Sequence, residues 1–183
     1  MANNSVAIIG LGYVGLPLAI SFERAGLTVY GIDKNRARVA RINKGISPLK
    51  DVKSAELSKA IGSGKFSAGC DFSILGKCDA IIICVPTPLN KTKDPDVSYI
   101  LDACREIRRH IRKGHIIVLE STTYPGFTRE VILPMFEETG LIAGRDFYLA
   151  FSPERIDPGN RRYGVENTPK IVGGATGKCT KKG

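Results

Sequence analysis

The chain has 183 residues, 43% hydrophobic and 25% charged, which suits one sizeable core in a globular protein. No apolar run approaches the ~20 residues of a membrane helix, and the start lacks the basic n-region of a secretory signal. The net charge of +9 admits nucleic acid as a partner. However, no nucleic-acid motif or aromatic-interleaved basic surface accompanies the charge, and the cations of 105–113 fit the last turns of a solvated helix.

Val6 to Ile9 is a short apolar run suited to a strand buried on both faces. Gly10, Gly12 and Gly15 follow in the spacing G-x-G-x-x-G, and a helix is predicted over Val14 to Arg24. A second apolar strand, Leu27 to Ile32, ends in Asp33, 23 positions after Gly10. In that order of elements, Gly10 permits a tight turn, Gly12 lets a pyrophosphate approach the backbone, and Gly15 lets helix and strand lie close. An acid at the end of the second strand holds the adenosine ribose hydroxyls and disfavours a 2′-phosphate, which points to NAD. Lys34, Arg36 and Arg38 lie close enough to keep NADP open, and a purely structural glycine turn is the competing account.

Further along, helices are predicted over Asn35 to Asn43 and Val52 to Ile61, with a short strand over Lys65 to Cys70. Cys78 to Val85 is a third buried strand, broken at Pro86-Thr87-Pro88. A helix from Val97 to Ile111, capped by Asp96, leads to a strand over His115 to Glu120 that runs into Ser121-Thr122-Thr123. A helix over Thr128 to Glu138, a strand over Asp146 to Phe151 and a final strand over Lys170 to Gly174 complete the pattern. Strands alternating with helices predict a doubly wound, mainly parallel sheet with helices on both faces, in one Rossmann-like domain spanning 1–183. The glycines, Asp33, Thr87 and Thr122 all fall at C-terminal strand ends, the edge where such sheets bind ligands. Five scattered cysteines without a C-x-x-C pair suggest reduced thiols in a cytoplasm, with no zinc site or disulfide framework.

The pieces GLGYVGLPLA (10–19), YGIDKN (30–35), VPTP (85–88), ESTTYPG (120–126), SPERIDPGN (152–160) and KIVGG (170–174) span almost the whole chain. Together they resemble the nucleotide-sugar 6-dehydrogenases, which oxidise the C6 alcohol of UDP-sugars to uronates with two NAD. ESTTYPG followed about 30 residues later by SPERIDPGN is the specific part of the match. The resemblance implies backbone donors to the pyrophosphate at Tyr13 and Val14, an adenosine-side contact from Arg38, and cofactor contacts from Thr87 and Thr128. It implies that Thr122 holds a water near the reacting carbon and that Glu154 acts with it as general base or water-orienting group. It also implies that Arg155 and Ile156 line the sugar pocket, and that the complete family enzyme is a homodimer.

Each assignment has a plainer rival in the residues themselves. Thr122 could satisfy backbone groups or start a helix, Glu154 could be a surface acid, Arg155 could pair with Asp157, and Thr87 could mark a rigid turn. Phe127 stands where the family more often has Ser or Thr, and Pro158 stands where the UDP-glucose branch has a second glutamate. The DPGN ending resembles the branch acting on UDP-N-acetylglucosamine or UDP-N-acetylmannosamine.

The family's nucleophilic cysteine, in a G-F-G-G-x-C-type motif, and its oxyanion-stabilising lysine do not occur here. Cys84 reads as a buried inert thiol, and Cys179 as part of a frayed end. The chain therefore resembles a truncated, N-terminal NAD-binding portion, without the central helix and C-terminal UDP-sugar domain. A stand-alone NAD-binding module without catalysis and a UDP-glucose dehydrogenase fragment are the alternatives.

Overall fold

The apolar runs form strands that are covered by helices on both faces. The computed structural model describes residues 4–89, 95–154 and 168–183. The strands are β1 (Ser5–Ile9), β2 (Thr28–Ile32), β3 (Phe66–Gly69), β4 (Ala80–Ile83), β5 (Ile116–Leu119), β6 (Tyr148–Phe151) and β7 (Gly173–Gly174). The helices are α1 (Gly15–Arg24), α2 (Arg36–Asn43), α3 (Ser54–Gly62), α4 (Ser98–His110), α5 (Leu133–Glu137) and α6 (Gly177–Lys182).

All five residues of β1 are buried. Successive strand side chains point to opposite faces, so the runs divide into two cores. Ala7, Ile9, Ile81, Ile83 and Ile117 join Ile100 and Ile107 of α4 and Phe136 of α5. Val6, Ile8, Ile82 and Val118 join Leu16 and Ile20 of α1, Ile42 of α2 and Leu57 of α3. Burial on both faces is why these strands read as unbroken apolar stretches.

The seven-stranded sheet has the order β3-β2-β1-β4-β5-β6-β7. Every pairing is parallel except β6 with the edge strand β7. This is the doubly wound, Rossmann-type arrangement expected. The chain leaves β1 towards β2 and later returns on its other side as β4. Connections therefore diverge between β1 and β4, leaving a crevice at their C-terminal ends.

Two local expectations are corrected. The helix foreseen over Thr128 to Glu138 opens as a π-helix over Thr128–Ile132, in which the Leu133 amide donates to the Thr128 carbonyl. Pro134 has no amide hydrogen, so the ordinary helical ladder cannot run through it, and α5 begins only at Leu133. The C-terminal segment is not frayed. The Thr176 hydroxyl caps α6 by accepting from the Cys179 amide at 3.2 Å, and Cys179 is fully buried in the first core. Among the described residues no helix is long and apolar enough to cross a membrane, and no group of three His, Cys, Asp or Glu could hold a metal ion.

Asp146 fastens the turn into β6. Its carboxylate accepts from the Ile142 amide at 3.0 Å and from the Arg145 guanidinium at 2.7 Å, with Lys113 at 3.4 Å. The Arg145 hydrogen bond, then the Ile142 amide, hold its carboxyl down at about 2 against the ordinary 3.8. A depressed value means the proton binds the unfolded chain more tightly than the folded one. The stabilisation is therefore complete above pH 3.8 and drains away as pH falls towards about 2. Acid-unfolding curves of Asp146→Asn should lose part of the wild-type slope in that window. An unchanged slope would mean that this carboxylate does not couple to folding.

Candidate cofactor and active site

The crevice is a cavity of about 740 Å³ whose lining includes Gly10, Gly12, Tyr13 and Val14. Gly10 has φ +95°, and a Cβ there would sit 2.5 Å from the Cys84 carbonyl oxygen on the neighbouring strand end. At Gly15 a Cβ would lie 1.8 Å from the Gly10 carbonyl oxygen, so α1 packs directly on the turn. Gly15 thus shapes the loop from beneath and does not line the cavity. A Cβ at Gly12 would meet nothing within 4 Å, and Gly12 does line the cavity. Omission of that Cβ keeps a cradle open. No side chain caps α1; the Leu16 amide donates to the Gly12 carbonyl and Pro17 has no amide hydrogen, so the donors for an anion are the amides of the loop from Gly12 to Gly15. The residues present therefore fit a dinucleotide diphosphate.

Asp33, 8% exposed, lies at one end of the cavity. Its Oδ2 accepts from the Leu11 amide at 3.0 Å and from Arg38 Nη1 at 2.8 Å, and its Oδ1 accepts from the Asn35 amide at 2.8 Å. A carboxylate offers about four acceptor positions, so one stays open on Oδ1 for a ribose hydroxyl. A second hydroxyl needs the place Arg38 occupies. Lys34 turns away to Asp102 at 2.9 Å. Two of the three cations beside Asp33 are thus paired with carboxylates, which weakens the case for a 2′-phosphate.

The same cavity is lined at its other end by Thr87, Ser121, Thr122, Glu120 and Glu154. The Ser121 hydroxyl donates to the Val85 carbonyl at 2.7 Å and so ties the two strand ends. Thr122 is exposed to the cavity, whereas the neighbouring Thr123 hydroxyl is buried without a partner among the described residues, as is that of Ser152. Glu154 donates its amide to the Glu120 carbonyl at 3.1 Å, which brings the two acidic residues together. Lys170 Nζ lies 2.6 Å from Glu120 and 3.5 Å from Glu154. Burial pushes the Glu120 carboxyl up, the Lys170 ammonium opposes that, and the Glu154 carboxyl adds to it.

Of the residues foreseen, the cavity collects Gly10, Gly12, Tyr13, Val14, Asp33, Arg38, Thr87, Thr122 and Glu154, but not Gly15. Thr128 stands apart from its lining, in the π-helix. Arg155 and Ile156 lie outside the described residues. Glu120 and Lys170 were quoted only as letters of motifs; nothing in the spacing announces that they meet 50 positions apart. Phe127 is buried, with its ring 5.1 Å from that of Tyr124, so it serves the core. Cys84 is buried beside Glu120, with Sγ 4.0 Å from Oε2, and burial pushes its thiol well above the ordinary value, which makes it a poor nucleophile.

Residues 4–183 match the model of the "UDP-glucose/GDP-mannose dehydrogenase family, NAD binding domain". The chain is 40% identical to a UDP-N-acetyl-D-glucosamine 6-dehydrogenase of Pseudomonas aeruginosa, over 96% of this chain and 41% of that protein. A UDP-D-ManNAc dehydrogenase structure from Pyrococcus horikoshii superposes with TM-score 0.89 at 35% identity, over 96% of this chain and 42% of that one. The UDP-N-acetyl-mannosamine dehydrogenase Cap5O of Staphylococcus aureus gives TM-score 0.91 at 30% identity, over 97% and 43%. The chain thus spans about two fifths of the length of these relatives.

Proposed function

The chain belongs to the UDP-glucose/GDP-mannose dehydrogenase family as its NAD-binding domain, and from that premise we propose that it is the cofactor-holding portion of a UDP-N-acetylhexosamine 6-dehydrogenase. The observation that carries the reading is the continuity of one cavity from the glycine loop and Asp33 to Thr122 and Glu154. A cofactor laid along it reaches from the ribose carboxylate to a hydroxyl and a carboxylate suited to handling water and a proton. The similarity to N-acetylglucosamine and N-acetylmannosamine dehydrogenases supports the choice of sugar. The five free cysteines fit a reducing, cytoplasmic setting.

When bound, NAD supplies the hydride acceptor. The chain's own residues contribute binding, orientation and proton handling. Amides of Gly12 to Val14 bind the diphosphate, Asp33 holds the ribose, and Arg38 lies on the adenosine side. Thr87 lies along the cavity wall. Thr122 positions a water through a hydroxyl that does not ionise at working pH. Glu154 accepts that water's proton, a role for which its place on the cavity lining suits it. Arg155 and Ile156 contribute to the sugar pocket. Conversion of the alcohol to a carboxylate removes four electrons as two hydrides and adds one water, so each sugar consumes two NAD.

Calorimetric titration of the chain tests the cofactor half directly. NAD should bind at a single site, with NADP at least about tenfold weaker, as an acidic ribose partner requires. Absence of NAD binding by folded protein, or equal affinity for the two, would overturn the reading. The substrate half is tested by NADH formation in a full-length enzyme carrying this domain. UDP-N-acetylglucosamine or UDP-N-acetylmannosamine should yield two NADH per sugar, well ahead of UDP-glucose.

A further inference from the structure

We propose that Lys170 is a positioning residue that keeps Glu154 ionised at the cavity wall by bridging it to Glu120. The inference rests on the reading of Glu154 as the proton acceptor.

Glu120 directly follows β5 and Glu154 follows β6, two adjacent parallel strands. The Glu154 amide to Glu120 carbonyl bond sets their side chains at one place on the cavity wall. The two side chains are 7% and 10% exposed, so water screens them poorly. Two carboxylates in such a site resist double ionisation and tend to share one proton. A shared proton would leave Glu154 already loaded and unable to accept another. The Lys170 ammonium, itself only 25% exposed, removes that obstacle.

The two distances divide the labour. At 2.6 Å Glu120 anchors Lys170 through a short charge-assisted bond, and at 3.5 Å Lys170 offsets the charge of Glu154 without closing off its oxygens. Burial lowers the Lys170 proton affinity, but Glu120 and Glu154 raise it more, so the ammonium stays charged. Among the described residues, Glu120 and Glu154 each form an ion pair with Lys170. Cys84 on the far side of Glu120 is held neutral by burial. Of the cavity's remaining charged residues, Asp33 and Arg38 pair with each other, and Lys34 pairs with Asp102. Among the described residues, Glu120, Glu154 and Lys170 therefore meet as one charged group at this wall.

The experiment is a carbon-detected pH titration of the glutamate side-chain carboxyls in the chain itself, wild type and variants. In the wild type, the Glu120 midpoint should lie above the ordinary glutamate range, with the Lys170 ammonium limiting the rise. In Lys170→Met, the pair should titrate in two steps, the upper midpoint raised by about 1–2 pH units, as for two like charges sharing a site. Lys170→Arg should restore the wild-type profile, which a loss of packing alone would not explain. Wild-type titration in folded Lys170→Met, or failure of the arginine variant to restore the profile, overturns the proposal. If the methionine variant does not fold, Glu120→Gln decides. With Lys170 then serving Glu154 alone, the Glu154 midpoint should fall, and an unmoved midpoint overturns the proposal. NAD calorimetry on the same samples reports the cofactor reading separately, because neither carboxyl titration requires bound cofactor.

Discussion

Gly15→Ala should destabilise the protein severely and abolish NAD binding, whereas Gly12→Ala should weaken binding at least about tenfold with almost no loss of stability. The two positions lie three apart in one loop, yet they meet opposite surroundings. At Gly15 the new Cβ would lie 1.8 Å from the Gly10 carbonyl oxygen, and 3.2 Å from Ile8 Cγ2. The oxygen belongs to backbone at the end of a fully buried strand, so α1 must lift off the sheet. Overpacking of this kind costs about 3 kcal/mol or more. For a chain of this length that corresponds to roughly 6–12 °C in Tm. Lifting α1 also moves the loop amides of Gly12 to Val14 that the diphosphate needs.

At Gly12 nothing lies within 4 Å of the added atom except the cavity itself. Stability should change by no more than about 0.5 kcal/mol. The methyl group would stand where the diphosphate approaches the backbone, and affinity should fall by at least about tenfold, the equivalent of 1.4 kcal/mol. Thermal melts and calorimetry on the same two proteins give four numbers. If Gly12→Ala bound NAD normally, the diphosphate would have to lie elsewhere. If Gly15→Ala melted like the wild type, the close helix–strand contact would be wrong.

The parts of this molecule that were legible in its sequence are those in which cause and effect are close in the chain. The G-x-G-x-x-G spacing, the buried run before it and Asp33 after the next strand are local consequences of one β-α-β unit. Unbroken apolar stretches such as Ile81-Ile82-Ile83 announced parallel strands because both faces are covered. What was not legible depends on tertiary placement or on a single atom. The meeting of Glu120 and Lys170 follows from where β5 ends and where the chain returns beside β6. One missing amide hydrogen at Pro134 turned a plausible helix into a π-helix followed by a short α-helix. The final residues around Cys179 read as a frayed end, but the Thr176 cap and an apolar thiol bury Cys179 in the core.

Asp33→Ala should reverse the cofactor preference, and its effect on folding must be separated from its effect on binding. In the wild type the carboxylate accepts from the Leu11 and Asn35 amides and from Arg38. Leu11 is fully buried, so loss of its acceptor leaves an unpaired amide that costs about 1–3 kcal/mol of stability. Binding is affected in a different way. Hydrogen bonds from ribose hydroxyls to an ionised acceptor contribute about 1.5–3 kcal/mol each. Loss of about 3 kcal/mol in total lowers NAD affinity by roughly 100-fold.

NADP faces the opposite change. In the wild type its 2′-phosphate would confront Asp33, while Arg38 is engaged by that same carboxylate. In the variant the anion is gone and Arg38 is released as a partner for the phosphate. NADP affinity should therefore hold or improve, and the ratio of NAD to NADP affinity should fall by about two orders of magnitude on the same arithmetic. Asp33→Asn keeps one acceptor oxygen without the charge. It should recover part of the lost stability and little of the NAD preference. Equal weakening of NAD and NADP in Asp33→Ala, with the protein still folded, would show that the ribose is held somewhere else.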